Sequence, residues 1–498
     1  MPSTLGLHRL HCHHPRRGRR VHLLTCWALF ATLPLGSCGG GDGTPPTYSI
    51  GGTVSGLDAG QSTILYNNGG DGVTVSANGA FTFVTKIASG GAYDVTVTAP
   101  AGKTCTVTGG SGTVSAPVTD VAVTCVSNAT LAIGGTIFVG DFFFVANSNA
   151  DSISAFSIDA TSGALLAVGP PVAAVRGPTA MASTSDNSFL YVANSLSNDV
   201  SAFAVNAVSG ALTPVTGSPF AAGTNPTAIA VFTSSACSSR GWPCWTIEFL
   251  YVTNSASNTV SAYQIDSRTG VLTPLPPFAT GPGPSAMAAG PGAPYTPFLY
   301  VANTGGSHEI SAFSIDGLSG GLRPIAGSPF PSNGDGSSLA FGTGDAFQYP
   351  PGSSNGSPGF KGLLYAANAS GSTASIMGFS IHPPMGDAND GALTALPGFP
   401  YDLPSCSSVV ADRTGTYLYA TAGTNVFGFS IDKQTGALSP LPGSAAGVGD
   451  TADLVSIDPT DKFLYVTSRR AGTATGFRLN AATGELTPLP GSPFAMRQ

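Results

Sequence analysis

Phe189-Leu190-Tyr191-Val192-Ala193-Asn194 is a strand-length run that keeps returning along the chain. The other copies are Phe142-Phe143-Phe144-Val145-Ala146-Asn147, Phe249-Leu250-Tyr251-Val252-Thr253-Asn254, Phe298-Leu299-Tyr300-Val301-Ala302-Asn303, Leu363-Leu364-Tyr365-Ala366-Ala367-Asn368, Tyr417-Leu418-Tyr419-Ala420-Thr421-Ala422 and Phe463-Leu464-Tyr465-Val466-Thr467-Ser468. Their starts lie 47, 60, 49, 65, 54 and 46 residues apart. A short run that is apolar until its last one or two residues reads as a strand buried on both faces. Each copy leads into a second strand such as Val200–Val205, then a turn such as Asp266-Ser267-Arg268-Thr269-Gly270. A Pro-bearing strand of the type Gly210–Val215 follows, and a small-residue run such as Pro226–Val231 precedes the next copy. Four strands per unit, seven times over, predict a seven-bladed β-propeller spanning residues 128–498. The Ala-rich run belongs innermost, where blades converge, and the Pro-bearing strand outside. Ala129–Ile133 is the expected first innermost strand, so that both ends of the ring meet at one seam.

Composition agrees with an all-β chain. Gly (66) and Pro (39) make about a fifth of the 498 residues without a collagen period, which favours turns over long helices. With 42% hydrophobic residues the chain is too apolar for disorder, and only the N-terminal segment carries a long apolar run. Residues 48–126 contain β-branched runs such as Thr63–Tyr66 and Tyr93–Val97, divided by turn residues such as Asn67-Asn68-Gly69-Gly70. They predict a small antiparallel β-sandwich. It resembles the immunoglobulin-like modules found near the N-termini of bacterial lipoproteins, which act as stalks or spacers.

Residues 1–37 have the order of a secretory signal: four arginines between Arg16 and Arg20, an apolar stretch from Val21, then small residues before Cys38. Leu35-Gly36-Ser37-Cys38 resembles the lipobox of bacterial lipoproteins, which implies that Cys38 is lipidated and that residues 38–47 are a Gly/Pro-rich tether. Gly39 after that Cys implies the outer membrane over the inner one. The expected address is therefore the cell envelope, with the membrane as a partner through the lipid anchor. Loss of residues 1–37 removes five arginines and no acid, so 14 cations then face 26 acids. That balance excludes a nucleic-acid partner, which demands clustered cations.

The repeated Tyr-Val-Ala/Thr-Asn strand resembles the YVTN repeat of seven-bladed propellers in the lactonase family, which includes 6-phosphogluconolactonases and the muconate-lactonising cyclases of fungi. The resemblance covers residues 128–498 and implies the fold. The same repeat also occurs in cell-envelope proteins without known enzyme activity, so chemistry has to be argued from the site.

Ligands of propellers bind at the channel mouth. The loops expected there carry Arg176, Asn225, Asp335, Asp450, His308, the Arg469-Arg470 pair, and Asn147, Asn194, Asn254, Asn303 and Asn368. Arg469 and Arg470 replace neutral positions of the repeat. They either clamp a carboxylate or phosphate, or stand solvated against Asp450. The Asn row is expected to bond its own turns. His308 and His382 are the only histidines beyond residue 37, and neither sits in a recognisable acid–base set, so no catalytic residue carries over from the family. Asp387, Asn389 and Asp390 read as a plain turn before a calcium loop; no metal or other cofactor is expected. Cys105 with Cys125, and Cys237 with Cys244, suit two local disulfides or remain reduced, and Cys406 is left as a buried thiol. Trp242 and Trp245, in an insertion spanning Ser234–Ile247, form either a contact patch or a lid. Two functions follow: an envelope lipoprotein offering its propeller as a platform for a small anion, a sugar or a protein, or a lactone hydrolase or lactonising cyclase.

Overall fold

The computed structural model describes residues 45–57, 61–100, 103–127, 133–236, 245–290, 297–306, 308–342, 362–369, 374–383 and 389–496. Among them the regular structure is all strand, in two compact units that divide between Ser127 and Asn128. The leader, Cys38, Cys237, Trp242 and Cys244 lie outside the described residues.

The first unit is a sandwich of two four-stranded sheets. One orders Gly79–Thr82, Ile50–Ser55, Val118–Ser127 and Lys103–Thr108; the other orders Asp71–Val75, Thr63–Asn67, Ala92–Thr98 and Ser111–Thr113. Alternate residues such as Ile50, Leu65, Phe81, Val95 and Val121 fill one core between them. The expectation of a wholly antiparallel arrangement is corrected at one pair: Val118–Ser127 runs parallel to Ile50–Ser55. Gly52 makes that pairing fit, since a Cβ there would lie 1.7 Å from the Val121 carbonyl oxygen. Cys105 and Cys125 face each other on neighbouring strands and form a disulfide.

The second unit is a ring of seven antiparallel sheets. In the second blade the order from the centre outward is Pro178–Ser183, Phe189–Asn194, Asp199–Val205 and Leu212–Pro214, and every blade repeats it. The first blade's innermost strand is described over Ile133–Val139, with Ile133 opposite Asn147, so it runs beyond the expected Ala129–Ile133, of which residues 129–132 lie outside the described residues. Five blades carry a short extra outer strand, as at Phe220–Ala221, after the proline turn.

The apolar repeat strand is buried at all six positions because its two faces belong to different cores. Phe189, Tyr191 and Ala193 pack toward the third blade, against Leu250 and Val252; Leu190 and Val192 pack toward the first, against Phe144 and Ala146. The same division holds around the ring to the junction of last and first blades, where Phe463 and Tyr465 meet Phe143 and Val145. Each buried aromatic of this kind contributes about 1.5–3 kcal/mol.

Polar bonds set the spacing of the blades. Tyr191, Tyr251, Tyr300, Tyr365 and Tyr419 each donate to the carbonyl of a turn glycine in the next blade (Gly270, Gly320, Gly391, Gly436, Gly484) at 2.7–3.0 Å. Tyr465 closes the circle on Gly163 of the first blade at 2.7 Å. Phe144 holds the corresponding place in the first blade and lacks the hydroxyl. Each blade is one contiguous segment, so the seam is held by such side-chain contacts and not by a shared strand. Tyr465→Phe keeps the ring and strands the buried Gly163 carbonyl; we expect a loss of about 1–2 kcal/mol, against about 3–5 kcal/mol for Tyr465→Ala, in thermal or denaturant melts.

The turns between third and outer strands are closed by an Asp or Asn in six blades, and His382 holds that place in the fifth. The Asp266 carboxylate accepts from the backbone N–H groups of Arg268 (2.9 Å) and Thr269 (3.1 Å), and Asn206 and Asn480 do the same with an amide oxygen. Backbone N–H groups hold Asp159, Asp266, Asp316 and Asp432 below the usual carboxylate range. These carboxyls are more acidic folded than unfolded, so the unfolded chain takes up protons first as pH falls. Their contribution is complete above the ordinary carboxylate pKa of about 4 and lost below it. Replacing all four by Asn, as the repeat itself does at two turns, should preserve the fold and flatten the acid limb of stability against pH.

Candidate channel-mouth site

The innermost strands of all seven blades enclose a central cavity of about 470 Å³. Its walls are hydroxyls (Thr179, Thr227, Ser285, Ser337), small residues and Met181 and Met287, and Arg469 stands at its rim. Among the described residues Arg469 is the single charged lining group.

The hydroxyls are structural as well. Thr179 donates to the Pro226 carbonyl (3.1 Å), Thr227 to Pro284 (2.8 Å), Ser285 to Gly336 (2.6 Å), Ser337 to Cys406 (3.3 Å) and Ser407 to Ala452 (3.1 Å). Each bond crosses to the start of the next blade's innermost strand, and Thr179, Ser285 and Ser337 share their single proton with a carbonyl of their own blade, Ala193 (3.1 Å), Ala302 (3.2 Å) and Ala367 (3.1 Å). Their protons are committed, so these groups turn acceptor lone pairs toward anything in the channel. The first blade has Gly134 at this position, where a Cβ would lie 2.1 Å from the Pro178 carbonyl oxygen. The seventh has Asp453, which sequence reading did not single out. Asp453 accepts the Arg469 backbone N–H at 2.6 Å, and the Arg469 guanidinium donates to the Gly134 carbonyl across the seam at 3.5 Å.

The loops before the innermost strands and the hairpins after the repeat strands share one face, because Pro178 pairs with Asn194 at that end of the blade. Arg176, His308, Asp335, Asp450, Arg469 and Arg470 therefore lie on the expected face: Asp450 and the two arginines at the seventh blade, the other three at the second, fourth and fifth. Asp450 does not meet the arginine pair: it accepts from the Thr451 N–H at 2.6 Å, within its own loop, and Asp453 takes the contact with Arg469. Arg176 bonds through its carbonyl, to the Leu196 N–H at 3.3 Å. The Asn row is buried, and Asn147, Asn194, Asn254 and Asn303 each donate to a serine of the third strand at 2.9 Å, so it braces the blades and does not line the mouth.

His308 has a structural explanation. Asp151, Asn198 and Asn258 sit in the left-handed conformation (φ 49°, 61° and 53°) and accept from the N–H of Gly177, Asn225 and Gly283 in the next blade, each at 2.8 Å. His308 occupies the same place in the fourth blade (φ 48°) and clasps Asp335 of the fifth through Nδ1 at 2.7 Å. The pair is set apart from the channel lining. His382 follows Ser375–Ile381 on the opposite face, its ring against the Pro383 carbonyl. The hairpin strands Pro226–Ala236 and Trp245–Asn254 also run to that opposite face, and residues 237–244 between them lie outside the described residues. Burial pushes the Cys406 thiol up to about 12, which makes it inert. No group of three metal-ligating side chains occurs among the described residues.

Residues 134–231 match the family described as Lactonase, 7-bladed beta-propeller. That stretch of the second unit is similar to the family, and the second unit has the seven-bladed propeller fold. A candidate 6-phosphogluconolactonase of Bacteroides fragilis superposes with a TM-score of 0.52 at 19% identity, covering 73% of this chain and 95% of its own. Another from Bacteroides uniformis gives a TM-score of 0.51 at 17% identity, covering 70% and 94%. No curated protein matches the chain. At these identities the lactonase-type structures share the fold of the second unit.

His308→Ala tests the clasp. It should cost at most about 1 kcal/mol in a thermal melt, as half-exposed ion pairs do, and leave ligand binding at the channel unchanged. A loss of binding without a loss of stability would return His308 to the site.

Proposed function

We propose that this propeller is a binding module that takes a small carboxylated or phosphorylated ligand at its channel mouth. The observation that carries the reading is the Arg469 guanidinium: it lines the cavity, is exposed, and makes no ion pair among the described residues. Around it stand lone-pair donors and apolar groups. An anion with its own hydroxyls suits that wall, since the arginine supplies the charge-assisted bond and the ring accepts from the ligand. Arg470, exposed and adjacent, adds field at the rim.

The second reading is lactone hydrolysis or lactonisation, favoured by the family match over residues 134–231. It requires a group that activates water, and the described lining contributes no His, Asp or Glu. The binding reading also takes the address read from the leader: an envelope lipoprotein anchored through Cys38, where a phosphorylated cytoplasmic lactone is not the expected substrate.

Calorimetry with gluconate, citrate and phosphate, beside a panel of lactones assayed for hydrolysis, separates the readings. Replacing Arg469 and Arg470 together by Ala should weaken the anion that binds by about 2–4 kcal/mol while the melt moves by less than about 1 kcal/mol. Turnover of any lactone that survives the double substitution would favour the second reading. Cys38→Ala should release the protein from membranes, because the acyl chains contribute about 0.8 kcal/mol per buried methylene; unchanged partition would refute the anchor.

A further inference from the structure

Five of the seven blade junctions are pinned at the mouth by a Ser or Thr hydroxyl that reaches the next blade: Thr179, Thr227, Ser285, Ser337 and Ser407. At the seam between the seventh and first blades the equivalent residue is Asp453, which as a carboxylate has no proton to give. Its place is taken by Arg469, whose guanidinium reaches the Gly134 carbonyl one residue beyond the usual acceptor, at 3.5 Å. That bond is at the long limit and belongs to an exposed side chain, so by itself it is a weaker pin than the hydroxyls. Thr136 and Ser456 meet at 3.0 Å deeper in the same seam.

We propose that Asp453 is a positioning residue of the channel-mouth site, and that an anion held by Arg469 locks the seam between the last and first blades. The inference rests on the anion-binding reading above. Asp453 accepts the Arg469 main-chain N–H at 2.6 Å and so fixes the start of the hairpin from which the guanidinium springs. A guanidinium has five donors in one plane; one on Nη2 reaches the Gly134 carbonyl, the other four make no hydrogen bond among the described residues, and the side chain lines the cavity. An anion bound to those remaining donors immobilises the side chain and thereby strengthens its bond across the seam. Linkage makes the effect reciprocal: whatever orders the seam favours the anion. The five junctions pinned by neutral hydroxyls, and the one at Gly134 that has no side chain to pin it, lack this coupling.

Hydrogen exchange of the full-length protein with and without gluconate tests the lock. Amides of residues 133–139 and 463–468 should slow with gluconate by more than those of the third and fourth blades. In the same protein Asp453→Ala should weaken gluconate by about fivefold or more, the lower range of coupling between linked sites, and abolish the selective slowing. Asp453→Asn keeps an acceptor for the Arg469 N–H and should restore both. Asp453→Ser, which installs the hydroxyl of the other blades, should slow seam exchange without ligand and make it indifferent to gluconate. Gluconate that binds while seam exchange stays unchanged, or an Asp453→Ala protein that binds as the parent does, would overturn the lock and leave the binding reading standing. Failure of gluconate, citrate and phosphate to bind the parent would overturn both, beginning with the binding reading.

Discussion

The bond from a buried tyrosine hydroxyl to the turn glycine of the neighbouring blade sets the geometry on which the ring depends. Six such bonds hold the blades in sequence, and the one from Tyr465 to Gly163 joins residues 302 positions apart. The glycine serves twice. Its positive φ closes the turn, and its missing side chain leaves room for the aromatic ring that begins the repeat strand of the preceding blade, as Phe189 does over Gly270. Burial of apolar surface would tolerate several blade spacings; a hydroxyl 2.7–3.0 Å from one carbonyl tolerates far fewer.

Closure without a shared strand loads the seam with side-chain contacts. Phe138 and Phe143 pack on Tyr465, with centroids 5.8 and 5.6 Å away, and Arg478 lies over the Phe463 ring at 5.1 Å while bonding the Thr161 carbonyl. The same junction holds the departures from the repeat at the mouth: Gly134 and Asp453 where other blades have Ser or Thr, and Arg469 after Ser468. A ring of equivalent neutral hydroxyls has no preferred side. A single guanidinium gives it one, on the side of the seam.

Much of the fold was legible because the repeat strand must satisfy two cores at once. Phe-Leu-Tyr-Val-Ala-Asn admits no polar residue until its end, so its period and its order in the blade could be read seven times over. That the first innermost strand continues to Val139 was not legible because Gly134 and Gly135 carry it without side chains, as their contact with the second blade requires. Arg469 stood out as a charge in a neutral position. Asp453 did not, because its significance depends on strand register: only the pairing of Leu454 with Thr467 shows that Asp453 occupies the hydroxyl position of the ring. The single-residue lengthening of the fourth blade's hairpin likewise hid that His308 stands where Asn198 and Asn258 stand.

These misreadings share a cause that bears on the site. In a repeat protein a residue's role is set by its place in the repeat, and chemistry appears where one copy breaks the rule. His308 departs in side-chain type but keeps the role, since it still clasps the next blade, now through a carboxylate in place of a backbone N–H. Asp453 departs in type and in role: it turns inward to hold the Arg469 backbone and gives the inter-blade bond to the guanidinium. A substitution that conserves the inter-blade contact is explained by the fold alone. One that hands the contact to a charged, exposed group at a cavity rim is left unexplained by the fold, and the anion binding we propose would supply the missing reason.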